Sequence, residues 1–285
     1  MERSARQQPA EHAPSHEPEV TRAANGRLRL SIRLAALGYL IPAAMASLVL
    51  MVAWELWVWL ADVPVYIVPG PLTVLRRLFG DVGFFAGNGA TTLMEAGAGF
   101  LLGSLVAVVT ATLMAHSRLL ERILLPLAVV VKVTPIVAIA PLFVIWFGFG
   151  SAPKILIAAI ITFFPVMINA NVGLRAVDPG SLDLFKLLHA SKAEILLKLR
   201  APSSLPYLFA AFRIAVPLSV IGAVVGEWFT GDQGLGSVII VAHNDLDTPT
   251  LFAAIFSLAI IGVSLTLATL YVEKRTLFWH DSFLA

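Results

Sequence analysis

The 285-residue chain contains no cysteine, and charged residues are scarce. Without cysteine there is no disulfide and no thiolate ligand for a metal. Only 13% of the residues are charged and 58% are hydrophobic, whereas a soluble domain carries about 25% charged residues. The formal net charge of +2 gives no sign of a nucleic-acid-binding surface. This composition predicts an all-α integral membrane protein whose surroundings include the lipid bilayer.

Motifs of the common enzyme classes are also missing. The stretch closest to a nucleotide-binding loop, residues 148–154, lacks the second glycine and the Ser or Thr of that motif. The sequence has no HExxH motif, no serine in a GxSxG turn and no histidine spacing typical of a metal site. We therefore expect no catalytic residue, no metal site and no cofactor in this chain.

Six hydrophobic stretches are candidates to cross a bilayer, which takes about 20 apolar residues. They cover residues 37–61, 91–115, 123–147, 155–170, 206–229 and 251–271. The third stretch contains Pro126, Pro135 and Pro141 and is therefore predicted to be bent or broken. Pro165 is predicted to interrupt the fourth.

Basic residues favour one topology of these spans. Arg118 and Arg122 follow the second stretch, and Lys274 and Arg275 follow the sixth. The loop between the fourth and fifth stretches has an excess of basic residues, whereas the next loop carries three aspartates and no Lys or Arg. Since Lys and Arg are enriched in cytoplasmic loops, we expect both termini in the cytoplasm.

The chain divides by composition into a tail and a membrane domain. Residues 1–30 mix Pro, Glu, His and Arg and are predicted to form a disordered cytoplasmic tail. Residues 31–280 are predicted to form the transmembrane domain, with a cytoplasmic loop at about residues 173–205. In the second hydrophobic stretch, Gly99 and Gly103 form a GxxxG pair that predicts close helix packing.

The cytoplasmic loop is the longest charged, amphipathic segment between the hydrophobic stretches. After Asp183, apolar residues at positions 184, 187 and 188 have the spacing of a helix. Ser191 and Glu194 have the spacing of a capping box, so a second helix should begin near Lys192. We expect Pro202 to end that helix. Its predicted apolar face consists of Ile195, Leu196 and Leu199.

This loop resembles the EAA motif of ABC importer permeases. The family pattern is Glu-Ala-Ala, a glycine six residues after the glutamate, and Leu-Pro thirteen residues after the glycine. His189 stands at the glycine position and Pro202 at the proline position, with Ala190 and Ser191 also matching. The chain departs from the pattern at Asp183, at the two residues that follow it, and at His189. The last departure bears on the geometry of the turn, because glycine reaches positive φ without strain and histidine rarely does.

Other stretches resemble the same family, in the branch of nitrate, sulfonate and vitamin-precursor permeases. They are residues 68–71, 135–150, 163–165, 173–178, 226–227 and 234–236. The resemblance covers roughly residues 36–280 and implies the type I importer fold, with about six transmembrane helices. It identifies the chain as the permease subunit of an ATP-driven importer in the bacterial inner membrane.

The resemblance also implies the partners. They are a second copy of the chain, two ATPase subunits on the cytoplasmic face that bind ATP and Mg²⁺, and a solute-binding protein outside. The residues expected to couple the chain to the ATPase are Asp183, His189, Ala190, Ser191, Lys192, Ala193, Glu194, Ile195, Leu196, Leu199 and Pro202. The resemblance favours riboflavin or a pyrimidine or thiamine precursor as the solute, with nitrate or sulfonate as the alternative.

Ionisable residues inside the spans are candidates for the translocation path. Lys132 lies about 15 Å from Arg122 along a straight helix, so a cavity-facing and a structural position stay open. Pro135 and Glu227 are the other candidates, since a broken helix can line a path. Positions of Glu95, Arg213 and Glu227 near span ends also favour an interfacial place. A stand-alone channel or secondary transporter is the alternative function, although no internal repeat is visible.

Overall fold

The computed structural model describes residues 41–42 and 44–278, and the described part is helical with no strand. Helix α1 (Ala44–Leu60) belongs to a compact unit of its own, which ends at Ala61. The second unit starts at Asp62. The predicted tail, residues 1–30, lies outside the described residues.

The helices of the second unit follow one another through short connections. They are α2 (Pro71–Gly80), α3 (Val82–His116), α4 (Arg118–Val133), α5 (Ile136–Phe147), α6 (Ser151–Arg175), α7 (Pro179–Leu187), α8 (Lys192–Glu194), a π-helical turn (Ile195–Arg200), α9 (Ala201–Thr230), α10 (Leu235–Asn244) and α11 (Thr248–Thr276).

Four helical segments are long and apolar enough to cross a membrane: α3, α6, the continuous helix Lys192–Thr230, and α11. Helices α4 and α5 qualify together as a fifth, bent by 97°, and α1 is a shorter apolar helix. These segments confirm the prediction of about six spans and of a break in the third. The predicted interruption at Pro165 is wrong, because α6 continues through it. Packing of α6 against α3 and α9 offsets the lost backbone hydrogen bond.

Helices α3, α6 and α9 pack closely because small residues line their contacts. A Cβ on Gly99 would collide with Ala158 and lie 2.8 Å from the Ile155 carbonyl oxygen, and a Cβ on Gly103 would collide with Thr162. The predicted GxxxG pair thus faces α6, and the order of these contacts makes α3 and α6 parallel. On α9, Gly222 approaches Ala158 and Gly226 approaches Lys154, so that α9 runs antiparallel to both.

The start of α6 and the end of α9 meet at what we call the Lys154 end of the bundle. The Lys154 side chain is 1% exposed, and its Nζ lies 3.1 Å from Glu95 Oε1 and 2.7 Å from Asp232 Oδ1. The ammonium also donates to the backbone oxygen of Gln233 at 3.2 Å. Partial burial alone would raise the pKa of Asp232, but hydrogen bonds from Lys154 and the Gln233 backbone lower it. The Asp232–Lys154 pair therefore adds stability at neutral pH that is lost as the pH falls through the acid range.

Glu227 completes this buried cluster from α9. Its side chain is fully buried, accepts a hydrogen bond from Thr92 at 2.7 Å, and accepts one from the Gly236 backbone N–H at 2.6 Å. Thr92 in turn accepts from the Leu235 N–H at 2.9 Å. The first backbone N–H groups of α10 are thus bonded to side chains of α3 and α9. The prediction of a loop over residues 231–247 is therefore wrong for α10.

The opposite end of the bundle, which we call the Ser191 end, contains a second ion pair between helices, in which the carboxylate is buried. Arg213 of α9 donates from Nε and Nη2 to the two carboxylate oxygens of Glu273 on α11, both at 2.7 Å. The Glu273 side chain is 6% exposed. Such a bidentate pair fixes the geometry of both partners. It ties α11 to α9 close to the last turn of α11.

Because α3 approaches α6 closely, alanine substitutions at two nearby glycines of α3 are predicted to differ in their effect on thermal stability. Gly99→Ala should lower the thermal midpoint of the detergent-solubilised protein, because overpacking costs about 1–3 kcal/mol. Gly97→Ala is the matched control, since nothing lies within 4 Å of its added Cβ. Midpoints measured by size-exclusion chromatography after heating would be equal for the two variants if the packing described here were wrong.

The buried ion pairs of Lys154 predict that a second substitution can restore part of the stability lost when the lysine is replaced. Lys154→Met should destabilise the protein strongly, because removing one partner of a buried pair costs about 3–5 kcal/mol. Adding Glu95→Gln should restore part of the loss, since the remaining buried charge is then removed. A double-mutant cycle on thermal midpoints measures the coupling. Strictly additive effects would mean that the two side chains do not interact.

Candidate functional site: the α7–α8 loop and the cavity at the α4–α5 break

The loop between α6 and α9 has the local structure that the sequence predicts. Asp178 caps α7 by accepting from the Ser181 N–H at 2.8 Å. The chain then turns at His189, which adopts φ 53°, a left-handed conformation that glycine reaches without strain. Ser191 and Glu194 form the predicted capping box, with the Ser191 N–H donating to Glu194 at 3.0 Å. The second helix begins at Lys192, as predicted.

The predicted end of this helix at Pro202 is wrong. Residues Ile195–Arg200 form a π-helical turn, in which the Ala201 N–H bonds to the Leu196 carbonyl, and α9 follows at once. Pro202 is the second residue of α9, directly after the π-helical turn, where a missing N–H costs little and the fixed φ of proline suits the helix. Lys192–Thr230 is therefore one continuous helix that joins the loop to the core.

The apolar residues of the loop fall into two groups. Leu196 packs against the core cluster of α3, α4, α6 and α9, and Ile195 and Leu199 are half-buried. The expectation that Leu196 faces a partner therefore needs correction, since the continuous helix turns this side chain inward. The exposed apolar side chains, between 55% and 77% exposed, are Leu184, Leu187, Leu188 and Leu197. We refer to the first three as the α7 leucines.

The remaining predicted coupling residues lie at the surface of the loop. Asp183 forms an ion pair with Lys186 at 2.8 Å and Glu194 one with Lys198 at 3.1 Å. Ala190 is half-buried. The exposed residues among the others are His189, Ser191, Lys192, Ala193 and Pro202. Their coupling role stays a prediction.

Two arginines that the sequence did not single out hold the loop on the bundle. Arg175, the last residue of α6, donates to the Met114 carbonyl oxygen and to Glu121, both at 2.8 Å. Arg200 donates to the Ala115 carbonyl oxygen at 3.3 Å. Both acceptor carbonyls belong to the last turn of α3, which lacks helical partners and carries a partial negative charge. The loop is thus fastened on both sides to one helix end.

The break between α4 and α5 opens a cavity of about 550 Å³. Its lining includes Lys132, Thr134, Phe164, Asn169, Ile214 and Leu218. The Lys132 ammonium lies 4.7 Å from the centre of the Phe164 ring. Pro135 is the N-cap residue of α5, between two residues that line the cavity. The predicted Lys132 and Pro135 are therefore brought together at this cavity.

Glu227, the third predicted path residue, is not among the residues that line this cavity. In this conformation its carboxylate is held inside the bundle by Thr92 and Gly236. The sequence could not reveal these partners, because Thr92 lies on a different helix, 135 residues away. A role of Glu227 in the path stays a prediction.

Comparison with known proteins agrees with these features. Residues 99–278 match the family described as binding-protein-dependent transport system inner membrane component. A probable ABC transporter permease protein of Haemophilus influenzae is 39% identical over 219 residues, or 77% of this chain and 89% of the relative.

Two further relatives carry substrate names. A riboflavin transport system permease protein of Chloroflexus aurantiacus is 35% identical over 82% of this chain and 88% of its own length. A formylaminopyrimidine transport permease protein of Halalkalibacterium halodurans is 34% identical over 82% of this chain and 93% of its own. The chain belongs to the binding-protein-dependent transport system inner membrane components and is the permease subunit of an ABC importer.

Proposed function

We propose that two copies of the chain form the translocation path, with an ATPase bound to each copy at the Ser191 end and a solute-binding protein at the Lys154 end. The observation that carries this assembly is the α7–α8 loop, which is capped, fastened by two arginines, and presents exposed leucines. A permease of this size typically supplies both halves of such an importer by pairing with itself.

The proposed orientation places the Ser191 end in the cytoplasm of a bacterial cell. Arg118 and Arg122 at the start of α4, and Lys274 and Arg275 at the end of α11, lie at the same end of the bundle as the loop. Lys and Arg are enriched on the cytoplasmic side of membrane proteins. Both termini are then cytoplasmic, and α10 faces outward.

The continuous helix Lys192–Thr230 suggests how ATP binding reaches the path. Closure of the ATPase pair would move the loop, and a helix without a break transmits that movement to its far part. Ile214 and Leu218 on this helix line the cavity at the α4–α5 break. A shift of α9 therefore changes the shape of the cavity, so that access can alternate between the two sides.

The proposed solute is a small planar heterocycle of the riboflavin or pyrimidine-precursor type. The named permeases for riboflavin and formylaminopyrimidine are 35% and 34% identical to this chain over most of its length. Nitrate or sulfonate is the second choice, because the resemblance also extends to those permeases.

The α7 leucines predict where the ATPase docks. Leu187→Asp should leave a folded, monodisperse permease but reduce ATPase binding about tenfold to a hundredfold, since burying one leucine contributes roughly 1.5–3 kcal/mol. Leu196→Asp should instead lower the yield of folded protein, because Leu196 packs in the core. Co-purification with the tagged permease measures the first effect and size-exclusion profiles the second. A Leu187→Asp permease that keeps a full complement of ATPase would place the docking surface elsewhere.

Uptake by the whole system tests the proposed function. Cells without their own riboflavin uptake, supplied with this permease, its ATPase and its solute-binding protein, should accumulate riboflavin or formylaminopyrimidine. Replacing the ATPase's phosphate-binding lysine should abolish uptake. Uptake that persists with that variant, or with the permease alone, would favour a stand-alone channel or secondary transporter.

A further inference from the structure

The charge on Lys132 lacks a counter-charge among the described residues. Lys132 lies near the end of α4 and contacts Phe164, which is close to the middle of the 25-residue spanning helix α6, and so lies at membrane depth. Two other cations of the spanning helices, Lys154 and Arg213, are paired with buried glutamates. The described ion pairs include none with Lys132, whose contact is the face of the Phe164 ring at 4.7 Å.

An ammonium at membrane depth is costly unless it faces a polar partner or a water-filled space. The cavity of about 550 Å³ beside Lys132 supplies that space, and its volume lies in the range of small-molecule sites. The cation–π contact with Phe164 accounts for part of the cost. The cavity leaves room for a further, negative or electron-rich partner of the ammonium.

The polar groups around the cavity are few and specific. Asn169 donates its amide to the Pro165 carbonyl at 2.8 Å, which fixes the side chain, while its own carbonyl oxygen accepts no hydrogen bond from the described residues. Thr134 donates its hydroxyl to the Val130 carbonyl at 2.8 Å. The cavity therefore offers one cation, one aromatic face and one free carbonyl acceptor, among walls that are otherwise mostly apolar.

We propose that Lys132, Phe164 and Asn169 form a contact site for the transported solute, and that the site selects a planar heterocycle with carbonyl oxygen and N–H groups along its edge. The ring of such a solute stacks on Phe164. The four-carbon stem of Lys132 lets its ammonium leave the ring face and donate to a carbonyl oxygen, while Asn169 accepts from an N–H group. An inorganic anion needs the cation alone and would make no use of Phe164 or Asn169.

This inference rests on the proposed importer function, because it gives the cavity a solute to bind. It also links the site to the coupling mechanism. Ile214 and Leu218 on α9 line the cavity together with Lys132 on α4 and Phe164 on α6. Movement of the continuous helix Lys192–Thr230 would therefore change the shape of the cavity around the solute and release it toward the other side of the membrane.

The test uses the complete importer in proteoliposomes, with riboflavin and formylaminopyrimidine as the transported probes. Lys132→Met should reduce uptake about tenfold or more, because a charge-assisted hydrogen bond is lost. Lys132→Arg should retain most of the uptake, since the donor and charge remain. Phe164→Leu and Asn169→Ala should each reduce uptake, and Lys274→Met, at the end of α11, is the charge-loss control. All variants should keep a bound ATPase and its basal turnover.

The outcomes distinguish the proposed solute from the proposed contact site. If the wild-type importer transports neither heterocycle, the proposed solute is wrong. If it transports one of them and Lys132→Met and Phe164→Leu match the wild type, the contact site is wrong while the importer function stands. If Lys132→Met alone abolishes uptake while Phe164→Leu and Asn169→Ala match the wild type, neither the ring nor the amide contacts the solute, and the heterocycle selectivity of the site is overturned.

Discussion

The cost of placing charge at membrane depth governs how this bundle is built. Lys154 is buried against Glu95 and Asp232, and the partly exposed Arg213 is paired with the buried Glu273. Each pair joins different helices, so neutralising a charge also fixes helix positions. The first pair ties α3 to α6 and to the turn after α9, and the second ties α9 to α11. Lys132 is the cation that this rule leaves without a carboxylate among the described residues, and it stands beside the largest cavity that we describe.

Small residues make the second contribution, because they allow α3, α6 and α9 to approach backbone to backbone. The contacts of Gly99, Gly103 and Gly222 leave no room for a side chain. In lipid the hydrophobic effect does not drive helices together, so close packing and buried polar pairs supply the cohesion. The cavity at the α4–α5 break lies outside this tightly packed trio, where a bent span leaves space beside α6 and α9.

Local features of the structure were predictable from the sequence, and partners distant along the chain were not. The Ser191–Glu194 capping box, the GxxxG face and the broken third span follow from patterns within a few residues, and the structure confirms them. The continuous helix through Pro202 depends on a π-helical turn, which has no sequence signature. Glu95 was expected near a span end. It is instead well inside α3, because that helix begins at Val82 rather than near residue 91.

The α10 helix was missed for a similar reason, since its ten residues are too few to span a bilayer and lie between the aspartates of the predicted outer loop. Its place is set by Glu227, whose carboxylate binds the Gly236 N–H nine residues later. Because of that bond, the turn after α9 cannot act as a free hinge. The helix Lys192–Thr230 has 39 residues and spans about 58 Å, against about 30 Å for the hydrocarbon core. Roughly half of this helix therefore projects beyond the lipid tails, so that a displacement at one membrane surface can be transmitted to the other.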